Sequence, residues 1–235
     1  GMSILTSSID KVVEMTALMA TEQDAAIVSF NKATGAQGQF DAQIQASSMS
    51  LRTSGVDAGE AAQSFQDLFL NVSDFTLMSK QEQNVLQQTT SILNELGISS
   101  QTTAKNIQLA TKVLGMSVNQ ADELVRGFKT FAEDLGVSTA QLSEDFSRMG
   151  PMVAELGVAG VAAFKDLARE SKATGIDIER LYQITSNFDT FEGASKAVGG
   201  LNAVLGGPFL NTMEMINEEN PAERMRMLKD AVDDA

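Results

Sequence analysis

A four-residue phrase recurs along this chain: an apolar residue, a glycine, an apolar residue and a small capping residue. It reads Leu96-Gly97-Ile98-Ser99, Leu114-Gly115-Met116-Ser117 and Leu135-Gly136-Val137-Ser138, with looser copies at Leu156-Gly157-Val158-Ala159 and Thr174-Gly175-Ile176-Asp177. Successive glycines stand 18, 21, 21 and 18 residues apart. Glycine takes the left-handed backbone conformation that ends a helix. The apolar residue after it packs back on the last turn, and the Ser or Asp accepts from free N–H groups opening the next helix. The phrase therefore spells helix, sharp turn, helix, with little linker. It constrains architecture and leaves chemistry open.

The expected fold is all-α: an irregular bundle or a short solenoid-like array of about ten short helices joined by Gly-containing turns. Three prolines, one tyrosine and no tryptophan in 235 residues favour helix over sheet. An apolar content of 43% suits a globular chain with a real core. The absence of both His and Cys removes disulfides, thiol nucleophiles, Ser-His-Asp triads and ordinary zinc or haem sites together. A formal charge of −14 repels phosphate backbones, so charge-driven nucleic-acid binding is not expected. Arg224, Arg226 and Lys229 sit among Glu223 and Asp230, which reads as a solvated helix face.

Apolar spacing places helices almost throughout. Leu5, Ile9, Val12, Thr16 and Met19 form one stripe, and Thr21 with Asp24 suggests a new start that frays near Gly35. Phe40, Ile44, Ser48 and Leu51 make the next helix, ending at Gly55. Asp57-Ala-Gly-Glu60 and Ser79-Lys-Gln-Glu82 read as capping boxes. Ser117-Val-Asn-Gln120 opens a helix whose stripe is Val118, Ala121, Val125, Phe128, Phe131 or Ala132, and Leu135. Leu142, Phe146 and Met149 face inward until Gly150-Pro151 stops that helix. Val161, Phe164, Leu167 and Ala168 follow, then Ile178, Leu181, Ile184 and Phe188. Helices of about 12 to 15 residues are expected, near the globular mean. Two of them make a unit of about 40 residues, the length of helical-hairpin repeats.

The chain divides by texture. Residues 1–2 read as a tag scar, 3–95 as an N-terminal helical region and 96–189 as the Gly-punctuated region. Residues 190–235 are a Gly-rich turn segment with a C-terminal helix opened by Asn220-Pro221. The end at Asp233-Asp234-Ala235 reads as that of a fragment. There is no secretory signal and no window of about 20 apolar residues to span a membrane. Leu156 to Phe164 comes nearest and reads as a buried turn-helix segment, while membrane contact around Val158 and Val198 is a weaker alternative. The pairs Gly199-Gly200 and Gly206-Gly207 lack the Lys-Ser or Lys-Thr of a phosphate loop and suit close helix approach and a helix stop.

No catalytic, cofactor-binding or metal site is expected, and no cofactor. Glu133-Asp134, Glu144-Asp145 and Glu218-Glu219 are neighbours that point about 100° apart on a helix, which cannot make an acid–base pair within a doublet. Acid spacing around a central glycine, as calcium needs, is missing. Met213, Met215, Met225 and Met227 read as core filler.

From Leu96 to Leu210 the chain resembles the core region of phage tail tape measure proteins. The resemblance rests on the serial Leu-Gly-Val-Ser junctions, Met149-Gly150-Pro151, Thr174-Gly175-Ile176-Asp177-Ile178-Glu179, Phe188-Asp189-Thr190-Phe191, and Gly200-Leu201-Asn202-Ala203-Val204-Leu205-Gly206-Gly207. It implies a non-enzymatic structural and assembly role in tail assembly and length control, in the virion tail and in the host cytoplasm during assembly. The implied partners are tail tube, baseplate and tail-assembly proteins, with self-association. One continuous helix of this length would reach about 350 Å, yet the glycine breaks argue against a rod. The alternative is a helical-hairpin adaptor that binds another protein. A third reading, a cell-wall hydrolase, would need opposed carboxylates from different helices, such as one near Glu155 or Glu170.

Overall fold

The computed structural model describes residues 2–235; the side chains of 2–10 and of 12 lie outside what is described. The tag-scar reading of residues 1–2 and the stripe side chains of Leu5, Ile9 and Val12 therefore fall outside what is described. Among those described, the chain is helical without a strand, and it divides into two compact units that meet in sequence at Thr130 and Phe131.

In the first unit, α1 (Met2–Thr34) is followed by α2 (Asp41–Leu51), α3 (Ala58–Asn71), α4 (Lys80–Glu95) and α5 (Ser100–Gln108), the last continued by a π-helical turn, Leu109–Val113. The next helix, α6 (Val118–Leu135), runs across the unit boundary. α3 packs against α1, α2, α4 and α5 because its Ala58, Ala61, Ala62, Phe65 and Leu68 form one buried stripe. Phenylalanines fill the centre. Phe30 meets Phe65 edge-on at 5.5 Å and Phe40 at 6.2 Å, and Phe65 meets Phe75 at 5.0 Å. Each such pair contributes about 0.5–1.5 kcal/mol beyond area burial.

The second unit continues with α7 (Thr139–Arg148), α8 (Gly150–Leu156), α9 (Gly160–Thr174), α10 (Ile178–Ser186), α11 (Phe191–Leu205), α12 (Thr212–Asn217) and α13 (Pro221–Asp233). α9 packs against α8, α10 and α13, and α11 against α12. Leu142, Phe146, Met152, Val153, Phe164, Leu167 and Leu181 are buried, as is a separate cluster of Phe188, Ala194, Val198, Leu210, Met215 and Ala231.

The punctuation behaves as expected at four of the five glycines. Gly97, Gly115, Gly136 and Gly175 all have positive φ. Ile98 and Val137 donate back to the Leu93 and Ala132 carbonyls at 3.0 Å, the long bond of a Schellman turn. Ser99, Ser138 and Asp177 then cap α5, α7 and α10, while Ser117 and Gln120 exchange two bonds at the start of α6. The boxes Asp57–Glu60 and Ser79–Glu82 are both closed, and Asn220-Pro221 opens α13.

Several expectations are corrected. α1 does not restart at Thr21: its hydroxyl donates to the Ala17 and Leu18 carbonyls, bonding back into the helix instead of capping a new one. Helix lengths run from 6 residues in α12 to 33 in α1, wider than the expected 12 to 15, because α1 continues through Thr21 while short helices α8 and α12 form after Met149 and Leu210. Pro151 ends α7 only by opening α8, where its missing N–H costs nothing. The fourth junction departs from the others: Gly157 has φ 56° and ψ −126°, and Ala159 offers no cap. Its Val158 is 90% exposed, and between Leu156 and Phe164 only Gly160, Ala163 and Phe164 are buried. Gly199 and Gly200 lie mid-helix in α11, exposed, with open space where a Cβ would stand; they serve neither as a stop nor as a close approach. Gly206 does end α11. Met215 is fully buried but Met213 is exposed, so the Met group is core filler only in part.

Candidate functional site

The most structured polar site lies in the second unit. Pro221 fixes the first turn of α13, and the helical period then aligns Arg224 with Leu228 and Ala231 on the inward face. Arg224 is buried, at 5% exposure. This overturns its assignment to a solvated face: Lys229 and Asp230 are exposed, but Arg224 projects the opposite way. Its Nε donates to the Met215 carbonyl at 3.0 Å and its Nη1 to the Thr185 carbonyl at 3.1 Å and to Asp189. A buried charge demands such partners. Arg226 is half-buried and bridges Glu170 at 3.1 Å and Glu223.

Above Arg224 lies a cavity of about 310 Å³, lined by Met152, Glu155, Leu156, Tyr182, Asp189, Glu219, Pro221 and Arg224. Tyr182 sits on the flank of α10 and donates its hydroxyl to Glu155 at 3.3 Å. Burial, reinforced by the negative charges of Glu155 and Asp189, pushes its phenol above the ordinary value of 10. Glu155 and Glu170 are not brought together: Glu155 lines the cavity, while Glu170 is engaged by Arg226. Among the described residues no three potential ligands are close enough to hold a metal ion. Sequence reasoning missed Arg224. The signal was its register with the apolar positions of α13.

Two other surfaces stand out. On α1, Val13, Met15 and Leu18 are each more than half exposed, and every residue from Val13 to Glu22 except half-buried Met19 is exposed. The same helix becomes buried further on, where Gln23 donates to Ser48 at 2.6 Å and Phe30 enters the core. Between the Gly136 and Gly175 junctions runs an open groove lined by Leu135, Val137, Leu142, Ala168, Ile176 and Ile178, with Lys172 donating to the Gly136 carbonyl at 2.9 Å. No described helix is long and apolar enough to cross a membrane.

The chain matches no family model, no curated protein and no solved structure.

Proposed function

We propose that this chain is a non-catalytic structural and assembly protein, a folded portion of a phage tail tape-measure-like protein engaged in tail assembly and length control. The observation that carries the reading is α1. A helix of 33 residues extends about 50 Å, and its Val13, Met15 and Leu18 are exposed. Apolar side chains held on a free helix are unfavourable in water and stabilise an assembly that covers them. The serial Gly junctions, the basis of the resemblance, support it. Tail tube, baseplate or tail-assembly proteins are then the partners, met in the host cytoplasm during assembly and in the virion tail.

The test is light scattering on the purified protein, alone and mixed with a phage tail-tube subunit. Association that disappears when Val13, Met15 and Leu18 are all changed to Ser, with helical content unchanged, supports the reading. A protein that stays monomeric at about 100 µM and ignores the tube subunit overturns it.

The helical-hairpin adaptor reading is favoured by one observation, the apolar groove between the Gly136 and Gly175 junctions. It requires a stable monomer that takes a peptide segment there and has no affinity for tail proteins.

A further inference from the structure

We propose that the cavity above Arg224 binds a free polypeptide amino terminus, an ammonium group with a carbonyl one carbon away. The site lies in the second unit and does not depend on α1. Two independent features of the cavity point to this chemistry.

The first is an unspent donor. Arg224 uses its Nε–H and both Nη1 hydrogens on two carbonyls and Asp189. Among the described residues its Nη2 has no hydrogen-bond partner, although the side chain is only 6% exposed and lines the cavity. Nη2 is not among the sealed, partnerless polar atoms of the described residues, and on a side chain that lines the cavity we infer that its N–H groups face the open space. A largely buried guanidinium with hydrogens left for the cavity favours an occupant that offers an oxygen acceptor.

The second is the sign of the walls. Glu155, Asp189 and Glu219 line the same space, against one guanidinium. Among the described residues, Asp189 is committed to Arg224, Glu155 accepts only the Tyr182 hydroxyl, and Glu219 makes no ion pair. The uncompensated charge selects a cation.

These features exclude simpler occupants. A carboxylate alone would satisfy Nη2 but face three acids. A metal ion needs ligands gathered more tightly than these are. A plain amine would leave Nη2 idle. An amino terminus supplies its ammonium to Glu155 and Glu219 and its first carbonyl to Arg224, while Leu156 offers an apolar wall to its first side chain. The cavity volume is at the lower end of the usual range for small ligands, which suits one terminal residue.

Tyr182 is the sole tyrosine in a chain without tryptophan, so intrinsic fluorescence reads the cavity wall directly. Leucinamide is titrated into the full chain beside N-acetylleucinamide, isoamylamine and isovalerate. The proposal expects a saturable change with leucinamide, at least tenfold weaker binding for the other three, and a tenfold loss for leucinamide on Glu219→Gln. That variant alters an exposed residue, and circular dichroism checks its fold. Absence of a saturable change at about 50 mM leucinamide overturns the proposal. So does equal binding of N-acetylleucinamide or isovalerate, which would deny the ammonium, or of isoamylamine, which would deny the carbonyl.

Discussion

Arg224 Nη1 donates to the carbonyl oxygen of Thr185 at 3.1 Å, tying the first turn of α13 to the end of α10 across 39 residues of sequence. Both residues are buried. The bond joins two helices that also pack on α9, so the guanidinium works as a fastener for the second unit.

Removing that fastener should be costly. Arg224→Ala strands the Met215 carbonyl and Asp189 and takes one of two donors from the Thr185 carbonyl, which keeps the Phe188 N–H, and is expected to destabilise by about 2–3 kcal/mol, tempered by the exposure of Asp189. Arg224→Lys keeps the charge but cannot reach three acceptors, and about half of that loss is expected. Urea unfolding of both variants provides the measurement.

Glycines in this chain divide into those that accept a methyl group and those that do not. A Cβ at Gly160 would stand 2.4 Å from the Val153 carbonyl oxygen, and one at Gly193 would stand 2.3 Å from that of Asn187. Backbone cannot swing aside as a side chain does, so Gly160→Ala and Gly193→Ala are each expected to cost about 1–3 kcal/mol. Gly199→Ala and Gly200→Ala meet open space within α11 and should each stabilise by up to about 1 kcal/mol. Melting temperatures that move in opposite directions for the two pairs would establish the division.

The first unit carries buried hydroxyls with no protein partner, among them Thr90 Oγ1 and Thr103 Oγ1. An isosteric apolar replacement removes the unpaired group without leaving a hole. Thr90→Val and Thr103→Val are therefore each expected to stabilise by about 1 kcal/mol, read as a higher urea midpoint. A fall in the midpoint would mean that the hydroxyls are bonded in solution.

Tyr182 should titrate late. Its folded-state pKa lies above the unfolded value of about 10, so folding favours the protonated phenol. That contribution is complete below pH 10 and is lost as pH rises through the folded value. Absorbance at 295 nm follows this single phenol without interference. Glu155→Gln removes a nearby negative charge and is expected to lower the midpoint while leaving it above 10, because burial is the larger cause.

The capping boxes offer a local test. Asp57→Ala removes the acceptor for the Glu60 N–H, now at 2.8 Å, and is expected to cost about 1 kcal/mol. At the second box, bonds from Ser79 hold the Glu82 carboxyl below its ordinary range. The contribution is therefore present above the unfolded pKa and lost as pH falls through the folded one. Ser79→Ala should move the Glu82 titration, followed by carboxyl NMR shifts, back upward.

What was legible in the sequence follows a single physical line. The positive-φ turns at Gly97, Gly136 and Gly175, the boxes at Asp57 and Ser79, and the Asn220-Pro221 start are all set by atoms within a few residues of one another. Their geometry is nearly complete before any tertiary contact forms. The local rule failed for two different reasons: Thr21 found the carbonyls one turn back, and Ala159 had no side-chain oxygen with which to cap.

Local patterns dictate that this protein is built of helices, where most of them start and stop, and that His- and Cys-based chemistry is absent. Which charged residue is buried, which glycines are crowded and where a cavity opens depend on packing between distant segments. Arg224 and Lys229 look alike in a mixed charge run, and Gly160 and Gly200 are the same residue type. Their roles depend on Thr185, Met215 and Val153, groups brought near by packing, and no local pattern encodes that distance. The repeated glycine phrase fixed the turns. The cavity came from how α8, α10 and α13 meet around one guanidinium.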